Sequence, residues 1–404
     1  MALVKMSAPL AREIRLWAPE RPFHLHFWDG VRLPATEQDA PTFEIASPAA
    51  LGHLVRAPGR LGLGRAWVDG SLSTDDIDRA FLVIERWRPP PINPARGARL
   101  GAAFLAAALP GGIPRRPALE LILSGERHSK ERDAAAVRYH YDVGNEFFSL
   151  FLDESMTYSC GIFSRGASTL EEAQESKLDL VATKLELEEG QRLLDVGCGW
   201  GSFAIHAASR YGVSVTGITL SPSQAAYARR RVAEAGLSKK IEIRLCDYRE
   251  LSGERFDAIA SIGMAEHVGQ SQIDAYARSL ERVLEPGGLL LNHAIALTHL
   301  GDDPTADTFS MRYVFPDGEP LMLSRIELAL ERAGLLTKHV ECFVDDYAIT
   351  LRHWTNRLEQ RLQEAEALAG PQRTRVWRLY LRAARQGFED GYTAVYQVKA
   401  QKRG

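Results

Sequence analysis

The 404-residue sequence predicts an α/β protein: a larger part built on a mostly parallel sheet, preceded by a small α/β unit. Three observations carry this. From about residue 170, short apolar runs alternate with helical stretches, the pattern of βαβ units. One of those runs ends in an acid and a glycine-rich turn that opens the next helix. A proline- and arginine-rich stretch separates this region from an N-terminal segment with its own strand and helix signals.

In order along the chain, residues 1–88 form the small unit. Phe23–Trp28 and Thr42–Ile45 read as strands and Pro48–Val55 as a helix. Thr74–Glu85 reads as a second helix, capped by Ser73 or Thr74 with acids in its first turn. Residues 89–125 read as a basic, proline-rich linker. Between Arg86 and Arg132, nine Lys or Arg face three Glu, a local +6 in a chain of net charge −3.

Residues 126–404 hold the main sheet. Its strands are expected at Arg192–Val196, Ser214–Thr219, Ile241–Cys246, Asp257–Ile262 and Leu289–Ala296. Helices are expected at Leu170–Leu185, Phe203–Tyr211, Pro222–Ala235 and Ile273–Leu284. Two late strands, Thr337–Val344 and Ala394–Ala400, flank a long helical insert (Asp346–Asp390) and finish the sheet as an antiparallel pair, making seven strands.

Composition narrows the function. The near-neutral charge gives no basic field for nucleic acid. The four cysteines (Cys160, Cys198, Cys246, Cys342) are scattered, with no metal-ligand spacing, and fit a reducing cytosol. The N-terminal MALVKMSAPLAREIRLW has no apolar core of a signal peptide. The longest apolar run, Leu100–Leu109, falls far short of the roughly 20 residues of a membrane span.

The strongest signal is Leu193-Leu194-Asp195-Val196-Gly197-Cys198-Gly199-Trp200-Gly201. Gly197, Gly199 and Gly201 let the backbone approach a ligand at the carboxyl edge of the sheet, where open α/β folds bind. The spacing is not that of a dinucleotide turn. D-V-G-C-G-W-G is the S-adenosylmethionine (SAM) form, which points to the class I SAM-methyltransferase fold, Rossmann-like and seven-stranded. The second strand ends in Gly217-Ile218-Thr219-Leu220-Ser221 with no carboxylate for a ribose, so that contact falls to Thr219, Leu220, backbone groups and Gln224. After the third strand, Asp247 would hold the adenine by hydrogen bond and Tyr248 by stacking.

With these residues in hand, the chain resembles the cyclopropane-fatty-acid synthase family, which includes the mycolic-acid methyltransferases and a 10-methyl (tuberculostearic-type) branch. The motifs that carry the resemblance are Tyr139–Asn145 (YHYDVGN), Thr157-Tyr158-Ser159-Cys160, Val196–Gly201, Thr219–Gln224, Glu266-His267 and Tyr313–Gly318 (YVFPDG), all in order. Leu61-Gly62-Leu63-Gly64 and Val68-Asp69-Gly70 resemble the accessory domain of the longer bacterial members. The resemblance implies SAM contacts at Tyr158 and Ser159. It also implies a bound bicarbonate as base, caged by Cys160, Glu266, His293, Ile295 (backbone) and Tyr347, and no metal. Taken singly, Cys160, His293 and Tyr347 read as core residues. Glu266 does not, because it follows the fourth strand at its carboxyl end.

The expected substrate is the cis double bond of an unsaturated phospholipid acyl chain. Attack on the sulfonium methyl leaves a carbocation, for which Tyr158, Tyr313, Phe315 and Tyr347 are candidate aromatic neighbours. Loss of a proton from the newly added methyl is expected to close a cyclopropane, and loss from a chain carbon, with a hydride shift, to leave a methylene that a separate flavoprotein reductase would reduce. Gly144-Asn145-Glu146 replaces the family's more usual G-N-D, and Glu146 is expected to move the proton-accepting position toward the chain carbon and so favour the methylene product.

Such an enzyme is expected in the cytoplasm, peripheral at the inner membrane surface. There the Arg86–Arg132 stretch reads either as a solvated linker or as a contact for anionic headgroups. The accessory domain also suggests a homodimer. The competing readings are a small-molecule N- or O-methyltransferase, which would need a base or metal beside a heteroatom instead of this cage, and a non-catalytic lipid-binding protein on the same fold.

Overall fold

The computed structural model describes residues 5–299 and 308–404, so the first four residues of the N-terminal stretch discussed above lie outside it. The chain divides into two compact units. The first comprises the chain up to Leu121 plus Pro371–Leu379, and the second comprises Ile122–Gly370 plus Tyr380–Gly404.

The first unit holds a four-stranded sheet of β1 (His24–Phe27), β2 (Arg32–Leu33), β3 (Thr42–Ile45) and β4 (Leu72–Thr74), in the order β2-β1-β3-β4. Helices Ala8–Trp17, Ala49–Arg56 and Pro94–Ala108 bury Leu10, Leu51 and Ala107 against Phe27 and Ile45. The helix expected at Thr74–Glu85 spans Ile77–Arg86. Its cap is Asp76, whose carboxylate accepts from Arg79 N, because Ser73 and Thr74 belong to β4. Gly62 is required for packing: a Cβ there would stand 2.1 Å from the Ala57 carbonyl.

The expected linker of residues 89–125 is helical in its middle, over Pro94–Ala108 and the turn Leu109–Gly111. Asn93 caps the helix Pro94–Ala108, with proline at its first position. Ala107 and Ala108 are buried in the unit's core beside Leu100, Ala103 and Phe104. Prolines and arginines dominated the composition, while the Ala/Leu run between them supplies the helix propensity.

The second unit is built on strands β5 (Arg192–Val196), β6 (Ser214–Thr219), β7 (Ile241–Leu245), β8 (Phe256–Ile262), β9 (Leu284–Leu297), β10 (Leu321–Met322), β11 (Leu335–Cys342) and β12 (Thr393–Lys402). Their order is β11-β12-β9-β8-β5-β6-β7, with the two-residue β10 beside β9. The strands from β9 to β7 are parallel, and β12 runs antiparallel between β9 and β11. The seven strands in this order form the Rossmann-like sheet of the class I methyltransferases, and β10 adds a short eighth.

Both faces are covered, as a parallel sheet requires. Helices Leu170–Lys184, Ser202–Tyr211 and Pro222–Glu234 pack on one face through Val181, Ala204 and Ala228. Helices Ile273–Val283 and Leu323–Arg332 pack on the other through Leu280 and Ile326. Strand order reverses at β5, which opens a crevice at the carboxyl ends of β5, β6 and β8. The long insert is two helices, Val344–Gln360 and Leu362–Glu389, the second kinked at Gly370 ahead of Pro371. Among the described residues no helix is long and apolar enough to cross a membrane.

Candidate active site

The crevice at the end of β5 holds a cavity lined by Asp195, Gly197, Gly199, Thr219, Leu220, Gln224, Tyr158, Ser159 and Tyr248. All nine were singled out from sequence. Gly197, Gly199 and Gly201 have φ of 75°, 53° and 83°, a region that side chains rarely adopt. Their roles differ. A Cβ on Gly197 would come within 2.6 Å of Met264, whereas one on Gly201 would meet Ala228 at 3.2 Å on the neighbouring helix. Gly201 therefore serves helix packing and does not line the cavity.

Thr219 Oγ1 donates to Gln224 Oε1 at 3.0 Å, fixing that side chain at the cavity wall. Asp195 is buried, with Oδ2 unpartnered among the described residues, and burial pushes its pKa up to about 7. Asp247 does not face the cavity. Its carboxylate receives Arg249 Nε at 2.8 Å and Nη2 at 2.6 Å, so Tyr248 and Arg249 reach the cavity in its place.

The expected cage residues gather around the carboxyl end of β9. Glu266, in the short helix Ala265–Val268 after β8, accepts from Ile295 N through Oε1 at 3.3 Å. Its Oε2 is shut off from solvent without a partner among the described residues, and burial raises its pKa to about 7. His293 lies two residues before Ile295, so both side chains leave β9 on one face. Burial, then the charges of Lys177 and Lys184, hold its pKa down to about 3, leaving a neutral imidazole.

Cys160 is fully buried, its thiol 3.8 Å from the Phe343 carbonyl, and burial keeps it protonated. Phe343 N donates to Val395 O on β12, opposite Ile295, and Phe343 O accepts from Tyr347 N at 3.1 Å. Cys160, Tyr347 and Ile295 thus share one backbone junction. Tyr347 also lies within electrostatic reach of Cys160 and Glu266.

Glu146 stands apart. It is exposed on the short helix Asn145–Phe148, whose Phe147 and Phe148 take the buried positions. Neighbouring Asn145 instead accepts from Trp200 Nε1 at 2.7 Å, tying this motif to the glycine loop.

An aromatic cluster completes the site. His140 stacks on Phe315 at 4.0 Å and lies 5.6 Å from Tyr158, which stacks on Trp354 at 5.1 Å. Arg132 holds Asp317 with two bonds, and His140 Nδ1 bonds the Val314 carbonyl, so segment 313–318 is fixed against helix Lys130–Tyr141. Tyr347 joins through Trp354 at 6.1 Å, whereas Tyr313 packs on Phe309 at 4.8 Å.

Sequence reasoning missed Lys177 on the cavity wall and Tyr380, 5.5 Å from Phe315, and gave no role to Tyr141, Met264 and His267, which also line the cavity. Lys177 had a signal. It sits on the apolar stripe of its helix with Leu170, Ala173, Leu178 and Val181, where a lysine is out of place.

The family described as mycolic acid cyclopropane synthetase matches residues 128–398. A probable fatty acid methyltransferase (Rv3720) of Mycobacterium tuberculosis is 38% identical over 413 residues, covering 100% of this chain and 96% of the relative. The tuberculostearic acid methyltransferase UfaA1 of the same organism is 32% identical, covering 98% and 91%. Among solved structures, mycolic acid cyclopropane synthase CmaA1 complexed with SAH and CTAB superposes with a TM-score of 0.63 at 33% identity, over 67% of this chain and 98% of that one.

Proposed function

The chain belongs to the mycolic acid cyclopropane synthetase family, and on that premise we propose that it is a SAM-dependent C-methyltransferase acting on the cis double bond of an unsaturated phospholipid acyl chain. The product proposed is the methylene-branched chain of a tuberculostearic-type pathway. The observation that carries the reading is Glu266, whose Oε1 is held by Ile295 N while Oε2 is buried and unpartnered beside an aromatic cluster. Such an oxygen invites a small polar ligand, and the cluster suits a cation formed on a greasy chain.

SAM supplies an electrophilic methyl, and bicarbonate supplies a mobile base. Tyr158, Ser159, Thr219 and Gln224 would hold the first, with SAH in the CmaA1 structure as support. Glu266, neutral His293, Cys160, Tyr347 and the Ile295 N–H would hold the second. The alkene π pair forms the new C–C bond as the C–S bond breaks, leaving the adjacent chain carbon cationic. Faces of Tyr158 and Phe315 stabilise that charge.

A hydride then moves from the methylated carbon to its cationic neighbour, and a proton leaves the added methyl to give the methylene. Direct loss of that proton without the shift closes the ring. Both products therefore lose a proton from the same methyl, which removes the chemical reason for a base displaced toward Glu146. Two relatives matched along nearly the full chain carry methyltransferase names, which supports the methylene. Ring closure is the second reading, favoured by the CmaA1 likeness.

A flavoprotein reductase would consume the methylene product. The membrane partner is an anionic surface. Helix Pro94–Ala108 turns Ala98, Ala102 and Leu105 outward, followed by Leu109 (71% exposed), Ile113 (64%) and exposed Arg115 and Arg116. By contrast, Arg127, Lys130 and Arg132 are engaged by Asp317 and Glu250.

The test is incubation with SAM and oleoyl-phospholipid vesicles, with and without bicarbonate, then mass spectrometry. A bicarbonate-dependent gain of one CH2 is expected, and ozonolysis separates methylene from ring. No gain on lipid, with methyl transfer to a small amine or hydroxyl compound, overturns the reading.

A further inference from the structure

Lys177 is 1% exposed on the helix Leu170–Lys184, and its side chain lines the cavity beside Ser159 and Asp195. Among the described residues its ammonium has one hydrogen-bond partner, the neutral Ser159 hydroxyl at 3.0 Å, and no carboxylate stands at ion-pairing distance. Burying a cation this way is costly, and burial lowers its pKa to about 8, against the pull of Asp153, Cys160 and Asp195. It remains mostly charged at neutral pH, and no step of the alkylation uses it.

The same cavity contains the mirror feature, the buried Asp195 with Oδ2 unpartnered. One uncompensated cation and one acid with a free oxygen are the complement of an α-amino acid zwitterion, and SAM ends in one.

We propose that Lys177 binds the α-carboxylate at the methionine end of the cofactor, with Asp195 facing its α-ammonium. The inference rests on the SAM reading of this cavity. The Ser159 hydroxyl orients the amine, and the incoming carboxylate supplies the charge that the apo cavity lacks. Lys177 is thus a positioning residue: fixing the amino-acid end fixes the direction in which the sulfonium methyl points. A rival anion is bicarbonate, since Cys160 and His293 also feel the charge of Lys177.

The experiment is calorimetric binding of SAM and of decarboxylated SAM, which keeps the sulfonium and the ammonium, to the wild type, Lys177→Met and Lys177→Arg. The wild type should prefer SAM by about tenfold or more. Lys177→Met should bind the two within about twofold, through loss of SAM affinity alone, and Lys177→Arg should keep part of the preference. Equal affinity of the two ligands for the wild type overturns the proposal without using a variant. So does a Lys177→Met protein that keeps its preference, or one altered only in the bicarbonate concentration for half-maximal activity. If neither ligand binds the wild type, the SAM reading itself falls, and this proposal with it.

Discussion

Gln397 fixes the tautomer of His293. The amide Oε1 accepts from Lys184 Nζ at 2.7 Å, so Nε2 is the end that faces His293 Nδ1, at 3.2 Å, and donates to it. A neutral imidazole that accepts at Nδ1 carries its proton on Nε2, which has no protein partner among the described residues. Nε2–H is then a donor free for an anion. Gln397→Leu should leave the fold intact, mix the tautomers and lower kcat about tenfold. Nitrogen NMR of the imidazole together with steady-state rates checks this, and an unchanged tautomer would count against it.

Glu266 titrates near 4.5 when unfolded and about 7 in the fold, because burial disfavours its charge. The folded state therefore keeps the proton longer, so this group's stabilisation is full below 4.5 and is lost as pH rises to 7. Glu266→Gln should gain stability relative to the wild type across that window, by on the order of 2 kcal/mol, in urea unfolding at pH 5 and pH 8. Bicarbonate binding by the wild type should also weaken above pH 7, as the carboxylate ionises against the anion.

Glu146→Asp should leave the product ratio unchanged and kcat within about twofold, since the side chain is exposed and away from the cage. Mass spectrometry of the lipid product reads this directly. A shift toward the ring would restore Glu146 to the site.

Gly197→Ala and Gly201→Ala should separate binding from packing. Both place a side chain at positive φ, at a cost of about 1–2 kcal/mol seen as a lower Tm. Gly197→Ala also displaces Met264 at the cavity wall and should lose SAH affinity about tenfold or more. Gly201→Ala presses on Ala228 and should keep affinity within about threefold.

Leu109→Ser/Ile113→Ser should cut sedimentation with anionic vesicles severalfold and leave the protein's Tm unchanged, because both side chains are exposed. Raising salt should weaken binding of the wild type through Arg115 and Arg116. Equal sedimentation of the wild type and the variant would show that this face does not carry the contact.

The parallel sheet was legible because each strand buried on both faces reads as an apolar run beside a helical period, as Arg192–Val196 and Ser214–Thr219 did to the residue. The glycine loop was legible because positive φ leaves few alternatives to glycine. Residues whose part depends on which neighbour captures them were not. Asp247 looked free until Arg249 took it, and Glu146 looked inward until Phe147 and Phe148 claimed the core. Lys177 and Tyr380 belong to no glycine- or acid-marked turn, and only tertiary packing brings them to the cavity or its aromatic neighbours.

Residues 371–379 belong to the first compact unit, where Trp67 Nε1 donates to the Arg375 carbonyl at 2.8 Å and Val376 and Trp377 are buried. During synthesis on the ribosome, residues 371–379 must emerge before that unit has all its parts. Until then Trp67 lacks its acceptor, so the N-terminal portion waits incomplete while residues 122–370 are made. Expressing it as a fragment ending at Leu121 would make that gap permanent.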